Sequence, residues 1–248
     1  MTDHELNGAG GPARVLAVGA HPDDPDFQVG ATLARLCAEG AQVSLVICTD
    51  GSQGDDHTSM TPAELAATRR SEQERAAAVL GIRDVTFLGL PDGRLEPTLE
   101  LRRTLVREIR RTRPDLVLAH YPARAVHVDL EASHADHIAV GEATLAAVFP
   151  DAGNPRAFPE LLEEGLLPHR TGEVWIPGYE RPNHFVDAGP YLRAKVDAIL
   201  CHRSQLGDAA PDDAPPWVYR TMRRVGERAG FEYAECFIRT RLGWADRR

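Results

Sequence analysis

The stretch VLAVGAHPDDPDFQVG, residues 15–30, runs an apolar segment directly into a turn that holds His21, Asp23, Asp24 and Asp26. An apolar run that stops at Gly-Ala, followed by proline and carboxylates, reads as a buried strand and its end. Next, GATLARLCAEG (30–40) has helical spacing and closes on Gly40, and QVSLVICT (42–49) is a second apolar run. Together they form one βαβ unit, and that unit sets the fold class.

The alternation continues down the chain. TPAELAATRRSEQERAAAVLG (61–81) offers Thr61 as N-cap, Pro62 at the first helical position and Gly81 as the stop. Strand DVTFLGL (84–90), helix LELRRTLVREIRRTRP (99–114), strand DLVLAH (115–120) and helix HADHIAVGEATLAAVF (134–149) follow in order. This predicts an α/β fold: a Rossmann-like, mostly parallel twisted sheet with helices on both faces. Beyond Pro150 the chain is richer in Pro and Gly. There EVWIPG (173–178) and PNHFVDAG (182–189) read as short strands, PYLRAKVDAILCHRSQL (190–206) as a helix and FEYAECFIRTR (231–241) as a closing strand. The C-terminal part is therefore expected to extend the same sheet. Residues 1–12 read as a flexible arm, and 13–248 as a single domain.

Composition bounds the function. A chain of 248 residues, 43% hydrophobic, can bury one full-sized core. Its 37 acidic and 28 basic side chains give a net charge of −9, which draws it to neither nucleic acid nor anionic membrane. The arginines of the 99–114 helix, with no aromatic residues between them, read as a solvated face. No apolar run approaches the roughly 20 residues of a membrane span, and the opening lacks the basic and apolar segments of a secretory signal. Cys37, Cys48, Cys201 and Cys236 form no CxxC pair, so reduced thiols in a cytoplasmic protein are expected.

Parallel sheets bind ligands beyond the carboxyl ends of their strands. His21, Asp23 and Asp24 follow the first strand, Asp50 the second, Asp92 the third and His120 the fourth, with HADH (134–137) after the next loop. A dinucleotide would need a glycine fingerprint at the first turn, and the bulk and charge of GAHPDDPDFQVG exclude one. Clustered imidazole and carboxylate point to a divalent metal. A hydrolytic zinc takes three protein ligands and keeps a place for water. His21 and Asp24 can aim at one point, and either imidazole of HADH can supply the third ligand. Asp136 lies where it can orient an imidazole, while Asp50 sits in an ordinary turn sequence and His120 and His127 read as polar surface.

AHPDDPDFQVGATLARLCAEG, VSLVICTDGSQG, ELAATRRSEQERAAAVLG, LGLPDGRL and HADHIAVGEA, taken in order, resemble the PIG-L/LmbE-like family of zinc-dependent N-acetylglucosaminyl deacetylases. PNHFVDAG and HRSQ are similar to family stretches too. The resemblance implies one zinc per chain, or another divalent metal, on His21, Asp24 and His137. It implies Asp23 as general base, His134 facing the substrate carbonyl and Arg69 on the sugar; Asp92, in a DG turn where Asp is expected anyway, is separately a candidate for a sugar hydroxyl. Asp26 stands where many relatives have Glu and is expected to brace the metal loop, and Ala135 replaces the usual proline. The chemistry agrees: a metal polarises the acetamide and lowers the pKa of a water toward about 7. Asp23 then takes the proton, a protonated His134 meets the oxyanion, and one of the two protonates the leaving amine. The implied partners are a small amino sugar or glycoconjugate and further copies in a homo-oligomer. The segment 150–182, with Trp175 and Tyr179, is expected to shape the pocket. A metallohydrolase of another amide or ester, and a non-catalytic glycoconjugate-binding protein, are the competing readings.

Overall fold

Every residue of VLAVG (15–19) is buried, so the strand that carries it needs cover on both faces. The structure, a computed structural model, describes residues 11–54, 60–124, 133–178, 181–206 and 213–244. Strand β1 (Arg14–Gly19) lies between β2 (Gln42–Thr49) and β4 (Leu116–Leu118), parallel to both. Parallel pairing continues outward to β3 (Asp84–Leu90) on one side and β5 (Glu173–Pro177) on the other. Strand β7 (Ala234–Arg241) then pairs antiparallel with β5 and with β6 (His184–Asp187), giving the order β3-β2-β1-β4-β5-β7-β6. The second half does extend the sheet, through an antiparallel edge.

Alternate side chains of β1 enter different layers. Val15 and Ala17 pack with α1 (Asp24–Ala38), α2 (Pro62–Leu80) and α6 (Leu192–Ile199), while Leu16 and Val18 pack with α3 (Leu99–Thr112) and α4 (Ala135–Ala146). Helix α2 begins as its sequence predicts, with Thr61 and Glu64 in a reciprocal capping box, and ends at Gly81 in the left-handed conformation. The helix read over 30–40 starts earlier, at Asp24, and is broken at Val29 (φ −137°, ψ 18°). That break frees backbone groups inside the protein. Glu235 of β7 accepts the N–H of Ala31 (3.1 Å) and Thr32 (2.7 Å), and Lys195 of α6 donates to Phe27 O (2.7 Å) and to Glu235 (2.6 Å). A buried ion pair is tolerated when every charged atom has a partner of this kind. The turn of α1 that carries Asp24 is thereby aimed separately from the rest of the helix.

Other elements differ from expectation. β4 keeps only three residues of DLVLAH, and the helix read over 190–206 is α6 with a 3-10 turn at each side, Gly189–Tyr191 and Arg203–Gln205. Two helices, α5 (Glu160–Glu163) and α7 (Pro216–Glu227), were not expected from the sequence, although Pro216 at the first position of α7 is a start signal. Arg110 leaves the solvated face proposed for its helix. It is buried because its guanidinium donates to the carbonyls of Asp151, Ala152, Asn154 and Ala157, closing the loop after α4. Residues 1–10 of the expected arm, His127 and Tyr179 lie outside the described residues. Among the described residues no helix is long and apolar enough to cross a membrane.

Helix α4 lies directly on the chain leaving β4. A Cβ added to Gly141 would stand 2.6 Å from the carbonyl oxygen of His120 and 3.1 Å from Pro122 Cα. Both are backbone atoms and cannot rotate aside. Helix propensity alone favours Gly→Ala by about 1 kcal/mol, whereas overpacking of this kind costs about 1–3 kcal/mol. Gly141→Ala is expected to lower the free energy of urea unfolding despite its better propensity, and a rise would show that α4 can shift freely.

Candidate metal centre and active site

The sheet order turns at β1, with β2 and β3 to one side and β4 and β5 to the other. The crevice at the carboxyl ends of β1 and β4 is where open α/β sheets bind ligands. The AHPDD turn leaves β1 into this crevice, His120 leaves β4, and the first turn of α4 brings HADH.

His21 is the hub. Its Nε2 is 3.1 Å from Asp92 Oδ1 and 3.2 Å from Asp136 Oδ2, so this nitrogen donates its proton and Nδ1 faces the other way. Nδ1 lies 3.4 Å from Asp24 Oδ2 and 3.2 Å from His137 Nε2, and His137 Nε2 lies 2.9 Å from Asp24 Oδ1. Tetrahedral ligands about 2.0 Å from a zinc ion are themselves about 3.3 Å apart, and His21 Nδ1, the two Asp24 oxygens and His137 Nε2 stand at comparable spacings, within a cluster of groups that could hold a metal ion. Asp24 is oriented by the backbone, because Oδ2 accepts the N–H of Ala20 (3.0 Å) and His21 (2.7 Å). Asp136 is held by Gly93 N (2.8 Å) and Leu95 N (3.0 Å), in the turn that also carries Asp92.

The charges agree with a cation seat. Burial disfavours a charged His21, but the carboxylates of Asp136, Asp24 and Asp92 outweigh it and raise its pKa far above the ordinary imidazole value. Burial likewise works against ionised Asp24, Asp92 and Asp136. The imidazoles of His137 and His120 overcome it at Asp24, His21 at Asp92, and His21 with the Leu95 and Gly93 N–H groups at Asp136, so all three pKa values are lowered.

His120, read from sequence as polar surface, is in fact 4% exposed and part of the cluster. Its Nε2 accepts the N–H of Ala20 (3.0 Å) and its ring stacks on His137 (centroids 4.4 Å, 13°). Burial lowers its pKa, and the ring buttresses His137. Together with Asp24 and His137 it forms a second, overlapping group of donor atoms. Its place at the carboxyl end of β4 was the available signal, the same rule that singled out His21.

Asp23 has φ 105°, a conformation that non-glycine residues rarely adopt. Its N–H donates to Gln73 Oε1 (2.8 Å), and Arg69 donates to its Oδ2 (3.2 Å), to Pro22 O (2.6 Å) and to Gly51 O (2.9 Å). Arg69, expected at the sugar, is thus buried beneath the AHPDD turn. Asp92 is buried as well, with its oxygens on His21 Nε2 and on Gln53 N (2.9 Å). Burial pushes the Asp23 carboxyl up to about 6, against the pull of Arg69 and with the repulsion of Asp24. Asp26 reaches Asp23 through Gln73, since its Oδ2 accepts from Gln73 Nε2 (2.9 Å) and from His202 Nε2 (2.9 Å). His202 comes from HRSQ and was not singled out by its chemistry. Glu72 of α2 ties the same stretch down by accepting from Ser204 N (2.8 Å) and Oγ (2.7 Å).

His134 is the exposed N-cap of α4, its ring 4.7 Å from that of His21. Nδ1 accepts the N–H of Asp136 (3.2 Å), which leaves the proton on Nε2. Burial and the neighbouring imidazoles of His21 and His137 lower its pKa. The ring therefore presents Nε2 as its hydrogen-bond donor.

Asp23, Asp24 and His137 open into a cavity of about 450 Å³ that continues between Phe27, Pro177 and α7. Such a volume suits a small-molecule ligand. Trp175 does not line it; the indole is 1% exposed and packs on His184 and Phe237. Pro177 and Gly178 line it from that segment instead.

Comparison with known proteins supplies the context for this geometry. A family model described as PIG-L: GlcNAc-PI de-N-acetylase matches residues 16–148. The chain is 32% identical over 222 residues to the diacetylchitobiose deacetylase of Thermococcus kodakarensis, covering 90% of this chain and 81% of that protein. It is 31% identical over 249 aligned positions to a 1D-myo-inositol 2-acetamido-2-deoxy-alpha-D-glucopyranoside deacetylase of Rhodococcus erythropolis, covering 81% and 83% respectively. The solved N,N'-diacetylchitobiose deacetylase of Pyrococcus horikoshii superposes with a TM-score of 0.87 at 29% identity, covering 97% of this chain and 87% of that one.

Because His21 holds its extra proton well above the neutral range, a metal entering this site must displace it. Apparent zinc affinity, measured by calorimetry in buffers of different ionisation heat, is expected to rise about tenfold per pH unit between pH 6 and 8, with about one proton released. Affinity independent of pH would show that His21 takes no part. Asp136→Asn, which removes one of the charges holding His21, is expected to weaken zinc binding about 10–100-fold.

Proposed function

The chain belongs to the PIG-L family, and on that premise we propose that it is a metal-dependent hydrolase of N-acetylglucosamine-type sugars or glycoconjugates, releasing acetate and a free amine. The support that carries the reading is that Asp23, with a carboxyl tuned to about 6, lines the same end of the cavity as Asp24 and His137. His21 Nδ1, Asp24 and His137 Nε2 would hold zinc or another divalent cation. When bound, such an ion polarises the acetamide carbonyl and lowers the pKa of a water toward about 7.

The chain's own groups do the rest. Asp23 is ionised at neutral pH yet basic enough to accept a proton from the attacking water. His134 donates Nε2–H to the carbonyl oxygen as negative charge gathers there. Asp23 then returns the proton to the amide nitrogen, the C–N bond breaks, and acetate and the free amine leave. Arg69 and Gln73 hold the general base in its unusual backbone conformation, and Arg69 keeps its pKa from rising further. Asp92 and Asp136 hold His21. The four free cysteines fit a reducing compartment, which we take to be the cytoplasm.

The reading is tested by acetate release from N-acetylglucosamine and N,N'-diacetylchitobiose. Chelation is expected to stop the reaction and added zinc to restore it. Asp23→Asn should lower kcat by about 10²–10⁴-fold while keeping bound metal, whereas His137→Ala should lose both metal and activity. With Asp23 as base, kcat/KM falls about tenfold per pH unit below about pH 6. The Arg69 cation favours ionised Asp23, so Arg69→Gln should move this acid limb to higher pH. An unmoved limb would assign the titration to another group.

A further inference from the structure

The cavity has two chemically different ends. One carries Asp23, Asp24 and His137, and the other is walled by a single face of α7, where half-exposed Trp217 stacks on Phe27 and Val218, Met222 and Val225 are buried behind it. Several polar atoms near this second end are already engaged, although Tyr121, which carries a hydroxyl, also lines the cavity. Lys195 and Glu235 bind each other and the backbone of α1, and Cys236 Sγ donates to Gly178 O (3.1 Å), leaving Thr221 as the hydroxyl side chain of the α7 face. A sugar ring placed here would give up hydrogen bonds to water and find few in return. An alkyl or aryl group would only be removed from water, and Trp217, 47% exposed and stacked on Phe27 (5.6 Å, 16°), offers it a flat apolar surface.

The position of this end relative to the chemistry selects its occupant. With the acetamide at the end carrying Asp24 and His137, substituents on neighbouring sugar carbons come next along the cavity. In an N-acetylglucosaminide the neighbouring anomeric carbon carries the aglycone. We infer that the α7 end is a subsite for an apolar aglycone, and that the substrate class is an N-acetylglucosaminide of an alkyl or aryl alcohol. This inference rests on the deacetylase reading, which it makes more specific.

Acetate release by the metal-replete protein would be followed for methyl, butyl and hexyl N-acetylglucosaminides of both anomeric forms. N,N'-diacetylchitobiose and the N-butanoyl analogue of the methyl glycoside serve as comparators. Complete burial of one methylene is worth about fourfold, so kcat/KM is expected to climb along the alkyl series by about tenfold or more from methyl to hexyl. Trp217→Ser should flatten the climb, and at a half-exposed position it does so without opening the core. A flat series, a greater gain from diacetylchitobiose than from hexyl, or a gain that follows the N-acyl chain would overturn the subsite. Calorimetric binding of hexyl and methyl glycosides to metal-free protein supplies a readout apart from turnover, with tighter hexyl binding expected. Tight hexyl binding without acetate release from any glycoside would sustain the subsite and overturn the deacetylase reading. Acetate release with equal binding of the two would do the reverse.

Discussion

The site depends on one imidazole nitrogen. His21 Nε2 donates toward Asp92 and Asp136, and this fixes the direction in which Nδ1 faces. The two acceptors arrive from different parts of the chain, Asp92 from the turn after β3 and Asp136 from the first turn of α4, and the backbone of Gly93 and Leu95 binds Asp136 in place. One ring therefore locks the ends of β1, β3 and α4 into a single geometry. An imidazole held between two buried carboxylates is also strongly basic, so proton and metal compete for the same atom.

The second half of the chain acts on the first through buried polar contacts. The interruption of α1 at Val29 would leave peptide groups unpaired, and Glu235 and Lys195 take them up from β7 and α6. Asp26 receives His202 from the end of α6 and passes the constraint through Gln73 to the backbone of Asp23. A carboxyl at φ 105° keeps that conformation only where its surroundings determine it from several directions. Arg69, Gln73 and the chain reaching back to His202 supply those directions.

The sheet strands, the capped start of α2 and the paired motifs AHPDD and HADH are legible in the sequence because each is a local pattern: apolar alternation, a cap, a turn residue, two imidazoles on one helical turn. Other features were not. His120 looked like surface because nothing next to it along the chain marks it as buried; the N–H it accepts belongs to Ala20, a hundred positions away. Arg69 looked like a ligand-binding cation because its helix alone does not show that it lies beneath a turn with free carbonyls. The tautomer of His134 was not legible either, since the capping bond that its Nδ1 accepts from Asp136 N exists only in the folded arrangement.

Taken alone, then, the amino-acid order determined the alternating α/β architecture and the pair of motifs that meet at the mouth of the sheet. Tertiary structure decided the orientation and tautomer of the histidines, the burial of Arg69 and Asp92, the part played by His202, and the apolar wall that α7 gives the cavity. The physical reason is one of range. Periodicity and turn chemistry are written among neighbours along the chain, whereas hydrogen-bond partners and desolvation are fixed by strand order and helix packing, which bring together residues as far apart as Asp26 and His202.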